Sequence, residues 1–97
     1  IESLRIAVRP LTKEDIKNRK LPNQTTGLVI TKIANNSPVA NSIELNSIII
    51  EAQKKKIRSV DDLREITKEV LNSNQKTVLL AIYNNQNQRR YIGVKLD

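Results

Sequence analysis

The stretch Gly27–Ala40, with the sequence GLVITKIANNSPVA, is the part of this chain that decides the fold. Leu28–Ala34 begins with consecutive apolar residues and ends in alternation, which predicts a strand that enters the core. A turn follows this strand. Ser37 and Pro38 are suited to the N-cap and first position of a helix, so we expect a short helix over Pro38–Asn41.

Alternating apolar residues predict strands on both sides of this stretch, and hydroxyl residues mark where helices start. Mostly antiparallel strands combined with a few helices indicate an α+β fold. In chain order, the flanking elements are a strand Leu4–Val8, a short helix Thr12–Lys17, strands Ile48–Ala52 and Lys55–Ile57, a main helix capped by Ser59, and a hairpin of Thr77–Tyr83 with Arg90–Leu96.

The composition excludes most catalytic chemistry. The chain has no His and no Cys, which rules out Ser-His-Asp triads, Cys-His pairs and nearly all zinc sites. Its 10 acidic residues lie among Lys and Arg, and no two of them share an apolar setting suited to acid–base catalysis. We therefore expect no catalytic residue, no metal ligand and no cofactor, and the chain by itself is not expected to be an enzyme.

The net charge of +7 has two interpretations. It could attract an anionic partner such as nucleic acid, a membrane surface or an acidic peptide. It could also be a solvated surface in a composition rich in Lys, Asn and Ile. With only two Tyr and no Phe or Trp to stack on bases, we favour the second interpretation and expect no nucleic-acid partner. No apolar run approaches the roughly 18 residues of a membrane span, so none is expected.

The residues of these elements resemble the PDZ domains of bacterial HtrA/Deg serine proteases over nearly the whole chain. The segment from Leu11 to Pro22 looks most like the second of two such domains. The fragments that match, in order and spacing, are Gly27–Ile33, Asn36–Ala40, Ile48–Glu51, Ile57–Leu63, and the two hairpin strands Thr77–Leu80 and Tyr91–Leu96.

The resemblance implies a fold: a PDZ-like small β-sandwich or partly open barrel of five to six mostly antiparallel strands. One long and one or two short helices would cap it, and the permuted HtrA-type topology would place the groove strand first. Residues 1–97 would form a single PDZ domain excised from a larger protease.

The resemblance also implies a function, which is non-catalytic binding of C-termini or unfolded segments by strand addition, within a periplasmic serine endopeptidase of protein quality control. The other domains or subunits of that protease would be further partners. The main helix supports a groove, because its apolar arc is wider than a core stripe needs. The expected peptide-binding residues are Leu4, Arg5, Ile6, Ala7 and Val8 on the strand side, and Val60, Leu63, Arg64 and Thr67 on the helix.

The sequence departs from the family pattern at glycine positions. Leu4-Arg5-Ile6 replaces the hydrophobic-Gly-hydrophobic loop that receives a peptide carboxylate, Ser42 replaces a Gly after the short helix, Asn46 replaces a Gly, and Gln53-Lys54 replaces an Asn-Gly-type turn. Glycine tolerates positive φ at such positions, whereas Arg and Lys do so at a cost.

Three alternatives stay open beside a peptide-binding module, and the missing glycine at Arg5 favours the first of them. The chain could be a structural PDZ domain that mediates subunit contacts, a basic nucleic-acid-binding domain, or a PDZ domain of a membrane-embedded or tail-specific protease.

Overall fold

The computed structural model describes residues 1–96 and contains six strands and two helices. The main helix, most of the strands and the closing hairpin lie where the sequence predicts them. The elements are β1 Ile6–Pro10, α1 Lys13–Asn18, β2 Leu28–Ile33, β3 Ile48–Ala52, β4 Lys55–Lys56, α2 Val60–Leu71, β5 Thr77–Tyr83 and β6 Arg89–Lys95.

The strands form one open sheet in the order β1-β2-β3-β5-β6, with β4 paired to β3. Each of these pairings is antiparallel, so the predicted α+β class with mostly antiparallel strands is confirmed. Alternation along β2 sends Leu28 and Ile30 into an apolar cluster with α2, while Val29 joins a second cluster beside α1. The two helices therefore cover opposite faces, and β1 and β6 are the edges of the sheet.

Both helices start at a capping box. The hydroxyl of Thr12 accepts the Asp15 N–H and the Asp15 carboxylate accepts the Thr12 N–H, and Ser59 and Asp62 make the same exchange at α2. These reciprocal bonds satisfy N–H groups that have no partner inside the helix. Both helix starts thus agree with the prediction from sequence.

The first strand starts later than predicted. Leu4 and Arg5 belong to a turn, and β1 begins at Ile6 and runs to Pro10. The reason is the left-handed backbone of Arg5, with φ of 52°, which interrupts an extended strand. Pro10 still pairs with Leu28, which an edge strand tolerates because one side of it needs no N–H donor.

The short helix predicted over Pro38–Asn41 is wrong, because residues 38–42 form consecutive turns. The bonds from Ala40 N to Ser37 O (3.1 Å) and from Ser42 N to Val39 O (3.0 Å) each span three residues. One bond from Ile43 N to Val39 O spans four, which is too little to propagate an α-helix.

Three of the residues that replace family glycines, and Gln53 in the Gln53-Lys54 turn, adopt left-handed backbone. The φ angles are 52° at Arg5, 70° at Asn46, 53° at Gln53 and 66° at Lys54. Each such non-glycine residue costs about 1–2 kcal/mol relative to right-handed backbone, with Asn at the low end. The chain therefore keeps the loop geometry that glycine usually provides and bears this strain in four places.

Gly27 is required by a close approach between β2 and β3. A Cβ at this position would lie 2.6 Å from the Ile49 carbonyl oxygen and 2.8 Å from Ile48 Cγ2. Backbone cannot move aside as a flexible side chain can. At Gly93, by contrast, the nearest atom to an added Cβ is Thr77 Cγ2 at 3.9 Å, an ordinary contact.

We expect Gly27→Ala to lower the free energy of unfolding by about 1–3 kcal/mol, because the added methyl forces β3 away from β2. Urea unfolding followed by circular dichroism measures this. Gly93→Ala is the matched control, and its stability should be unchanged or raised by up to about 1 kcal/mol. Equal effects of the two substitutions would contradict the close approach at Gly27.

Candidate functional site

The open edge of β1 lies beside α2, and apolar side chains connect the two elements. Ile6 is buried in the same cluster as Leu63 of α2, while Val8 and Val60 lie half-buried against that cluster. We call the surface with Ile6 and Val8 on one wall and Val60 and Thr67 on the other the β1–α2 groove. It combines the edge of β1 that no other strand covers with an apolar wall.

The backbone of β1 presents an incomplete ladder on its open side. Arg5 C=O accepts from Ala34 N at 3.0 Å and Leu11 N donates to Gly27 O at 3.0 Å, so odd-numbered residues face β2. The register shift between Ala7 and Val8 leaves its extra residue, Thr31, on β2, so β1 itself alternates and directs the backbone groups of Ile6, Val8 and Pro10 outward. Since Pro10 has no N–H, the outward donors are those of Ile6 and Val8.

The turn before β1 is held by the residues that follow β2. The buried Ser37 hydroxyl donates to Leu4 C=O at 2.6 Å and accepts from Val39 N at 3.1 Å. The Arg5 guanidinium donates through Nη1 to the Asn36 carbonyl at 2.9 Å. Sequence reasoning did not assign Asn36 and Ser37 to the site, although their Asn-Ser-Pro motif was the signal that could have identified them.

The structure brings the nine predicted site residues to one region but exposes them unequally. Leu4 and Leu63 have no exposed surface, and Thr67 is 3% exposed, with its hydroxyl donating to Arg64 C=O at 2.9 Å. The exposed residues are Arg5, Ala7 and Arg64, and the half-buried ones are Val8 and Val60. The buried residues are Leu4, Ile6, Leu63 and Thr67.

Charged side chains border the groove on α2. Arg64 Nε lies 3.7 Å from a Glu2 carboxylate oxygen, and its Nη1 lies 3.4 Å from Asp61 Oδ1. All three side chains are well exposed, so these ion pairs contribute little to stability. They show instead how the two elements are arranged, because the pair with Glu2 connects Arg64 of α2 to the turn that precedes β1.

A tighter ion pair joins the far end of β1 to α1. Arg9 donates to both carboxylate oxygens of Asp15, at 2.7 and 3.0 Å, and the Thr12 N–H and hydroxyl donate at 2.8 and 2.9 Å. The hydrogen bonds from Arg9, followed by those from Thr12, hold the pKa of Asp15 far below its usual range.

Within residues 1–96, no group of three or more Cys, His, Asp or Glu side chains is arranged to bind a metal ion. Over the same residues, neither helix combines the length and the apolar character that a membrane crossing requires.

The sequence matches no family model and no curated protein, but its fold matches solved structures. The structure of the HtrA3 PDZ domain bound to a phage-derived ligand (FGRWV) superposes with a TM-score of 0.74 at 19% identity, covering 97% of this chain and 83% of that one. The HtrA-type protease AlgW with a decapeptide gives a TM-score of 0.67 at 18% identity, covering 96% of this chain. A variant of AlgW with a decapeptide gives 0.76 at 16% identity.

The fold is therefore that of a PDZ domain. Among PDZ domains, it is the arrangement found in HtrA-type proteases, with the strand beside the long helix placed first in the chain. This confirms the expected fold family and its permuted order. The chain spans 28% of the length of AlgW and 27% of the AlgW variant.

We expect Ser37→Ala to lower the free energy of unfolding by about 1–3 kcal/mol, because it leaves the buried Leu4 carbonyl without its donor. Amide NMR shifts should change most at Leu4, Arg5 and Ile6. Ser42→Ala is the matched control, since Ser42 is exposed on the same turn region, and it should be neutral. An unchanged stability of Ser37→Ala would refute the anchoring role.

We expect Asp15→Asn to cost about 1–2 kcal/mol at pH 7, because Arg9 loses a charged acceptor. The folded-state pKa of Asp15 is depressed, so its stabilisation is fully present above the unfolded pKa of about 3.9 and is lost as the pH falls below that value. Unfolding measured from pH 7 to pH 2 should therefore show the two proteins converging in acid. Glu14→Gln, in the same turn but outside this cluster, should change the free energy of unfolding at pH 7 by less than about 0.5 kcal/mol.

Proposed function

We propose that this chain is a non-catalytic peptide-binding module that takes C-termini or unfolded segments as an added strand on β1. A single observation carries the proposal. The outer edge of β1 pairs with no other strand and lies directly beside the apolar wall of α2, with the outward groups of Val8 on it and those of Ile6 paired only to Ile1. Strand addition uses backbone hydrogen bonds for affinity and neighbouring side-chain pockets for selectivity, and this edge offers both.

The geometry before β1 supports recognition of a terminal carboxylate. Arg5 keeps the left-handed conformation that a glycine would provide, and Ser37 fixes the preceding carbonyl inward. The loop is thereby held in place before a ligand arrives, which lowers the entropic cost of ordering it on binding. This favours a working groove over a purely structural domain.

The charge distribution supports a protein partner over a nucleic acid. Several arginines are engaged within the fold: Arg9 with Asp15, Arg89 with Glu51 at 3.1 Å, and Arg19 with the carbonyls of Asn46 and Asn84 at 2.6 and 2.9 Å. These side chains have structural partners. The positive charge is spread over the surface of the domain, and we assign it to solvation.

The parent protein, in this proposal, is an HtrA-type serine endopeptidase of the bacterial periplasm that acts in protein quality control. AlgW and HtrA3 are similar to this chain in fold, and their structures contain peptide ligands. The module would hold substrates near a protease domain or contact its other domains and subunits. Residues 1–97 would be one domain of that protease.

The test is a backbone amide NMR titration with the peptide FGRWV carrying a free C-terminus, compared with its C-terminally amidated form. The free-acid peptide should shift backbone amide signals of β1 and α2. The amidated peptide should bind at least about tenfold more weakly, because its C-terminus has lost a charged acceptor. Equal binding of both forms would refute carboxylate recognition, and no shift with either form would refute the groove.

Val8→Pro then tests strand addition directly. It removes an outward N–H, which an edge strand tolerates without unfolding, and it should weaken peptide binding about tenfold. Val8→Ala is the matched control, because it truncates the same half-buried side chain but keeps the outward N–H. If Val8→Pro stays folded and binds as well as Val8→Ala, the peptide does not pair with β1.

A further inference from the structure

The outer edge of β1 already has a backbone partner at Ile6, and that partner is Ile1. The amino group of Ile1 donates to Ile6 C=O at 2.9 Å, and Ile6 N–H donates to Ile1 C=O at 3.4 Å. Such a reciprocal exchange is the hydrogen-bonded pair of an antiparallel ladder. Ile1 therefore lies on β1 as one residue of an added strand would.

A tight turn holds Ile1 in this position. Arg5 N–H donates to Glu2 C=O at 3.2 Å, which closes the loop between the two paired residues. The left-handed conformation of Arg5 reverses the chain direction within this loop. The left-handed conformation of Arg5 thus has a second consequence, because it directs Ile1 back along the outer edge of β1.

Ile1 and Glu2 also contact the groove through their side chains. Ile1 is half-buried and packs against the apolar cluster that contains Ile6 and Leu63. The Glu2 carboxylate reaches Arg64 of α2 at 3.7 Å. The backbone pair, the apolar contact and the ion pair together span both walls at the same end of the groove.

We propose that Ile1 is an internal occupant of the β1–α2 groove, holding the place of a peptide's terminal residue until a peptide displaces it. This inference rests on the proposed function. Ile6 has a single N–H, so a peptide cannot pair with it while Ile1 does. Apparent affinity is then reduced by the fraction of molecules in which the edge is closed.

The contact does not depend on a charged amino group. If another residue preceded Ile1, its backbone would retain one N–H, which is all that the bond to Ile6 C=O requires. The preceding segment would then continue outside β1, toward Val8, because the pair is antiparallel. Ile1 therefore occupies the edge of β1 through the turn closed by Arg5 and Glu2 and through its backbone bonds to Ile6.

The first test compares the affinity of the peptide FGRWV for the 97-residue chain with its affinity for a chain lacking Ile1 and Glu2. The shortened chain should bind about 5- to 30-fold more tightly, because no internal competitor remains. Ser3→Ala is the matched control, since it alters the same turn without removing Ile1, and its affinity should equal that of the 97-residue chain.

The second test uses the 97-residue chain alone and so does not depend on how well the shortened one folds. Saturating peptide should move the Ile1 δ1-methyl NMR signal to the position of a mobile isoleucine. A peptide that binds while this signal stays in place, or that binds the shortened chain equally or more weakly, overturns internal occupation and leaves the proposed function standing. Absence of binding to either chain overturns the proposed function itself.

Discussion

β2 is hydrogen-bonded to β1 on one side and to β3 on the other, and this double pairing supports the rest of the structure. Because successive side chains of a strand point to opposite faces, β2 supplies residues to both apolar clusters and so joins α1 and α2 to the same sheet. Gly27 makes the pairing with β3 possible, since any Cβ there would collide with the Ile49 carbonyl. Loss of this contact would separate the groove strand from the core.

The groove is organised from the two ends of β2. At its beginning, Gly27 C=O accepts from Leu11 N and ends the β1 ladder, while after its end Asn36 and Ser37 fasten Arg5 and Leu4. The open edge of β1 is thus a rigid surface whose outward groups are set by alternation. Rigidity has a cost, which is visible in the left-handed backbone of Arg5. The same conformation brings Ile1 onto the edge, so one strained residue shapes both the candidate binding loop and its internal occupant.

Local signals predicted much of the fold. The helix starts at Thr12 and Ser59, the apolar alternation in the strands and the order of the main strands and helices appear in the structure as expected. The predictions failed where a long-range contact overrides a local preference. The extended pattern of Leu4–Val8 is interrupted because the turn before β1 is tied to residues more than thirty positions away, as in the bond from Ser37 to Leu4 with its separation of 33. Likewise, the Ser37 hydroxyl accepts the Val39 N–H as a helix cap would and also donates to Leu4 C=O, but only turns follow it.

The sequence by itself determined the fold class, the absence of His and Cys chemistry, and the two segments that form the walls of the groove. These follow from composition and from side-chain periodicity, which are local properties of the chain. Only the tertiary structure decided which backbone groups of β1 face outward, which predicted site residues are buried, and that Ile1 pairs with Ile6. The physical reason is that hydrogen-bond direction and burial depend on neighbours brought together by folding, and no pattern within one segment contains that information.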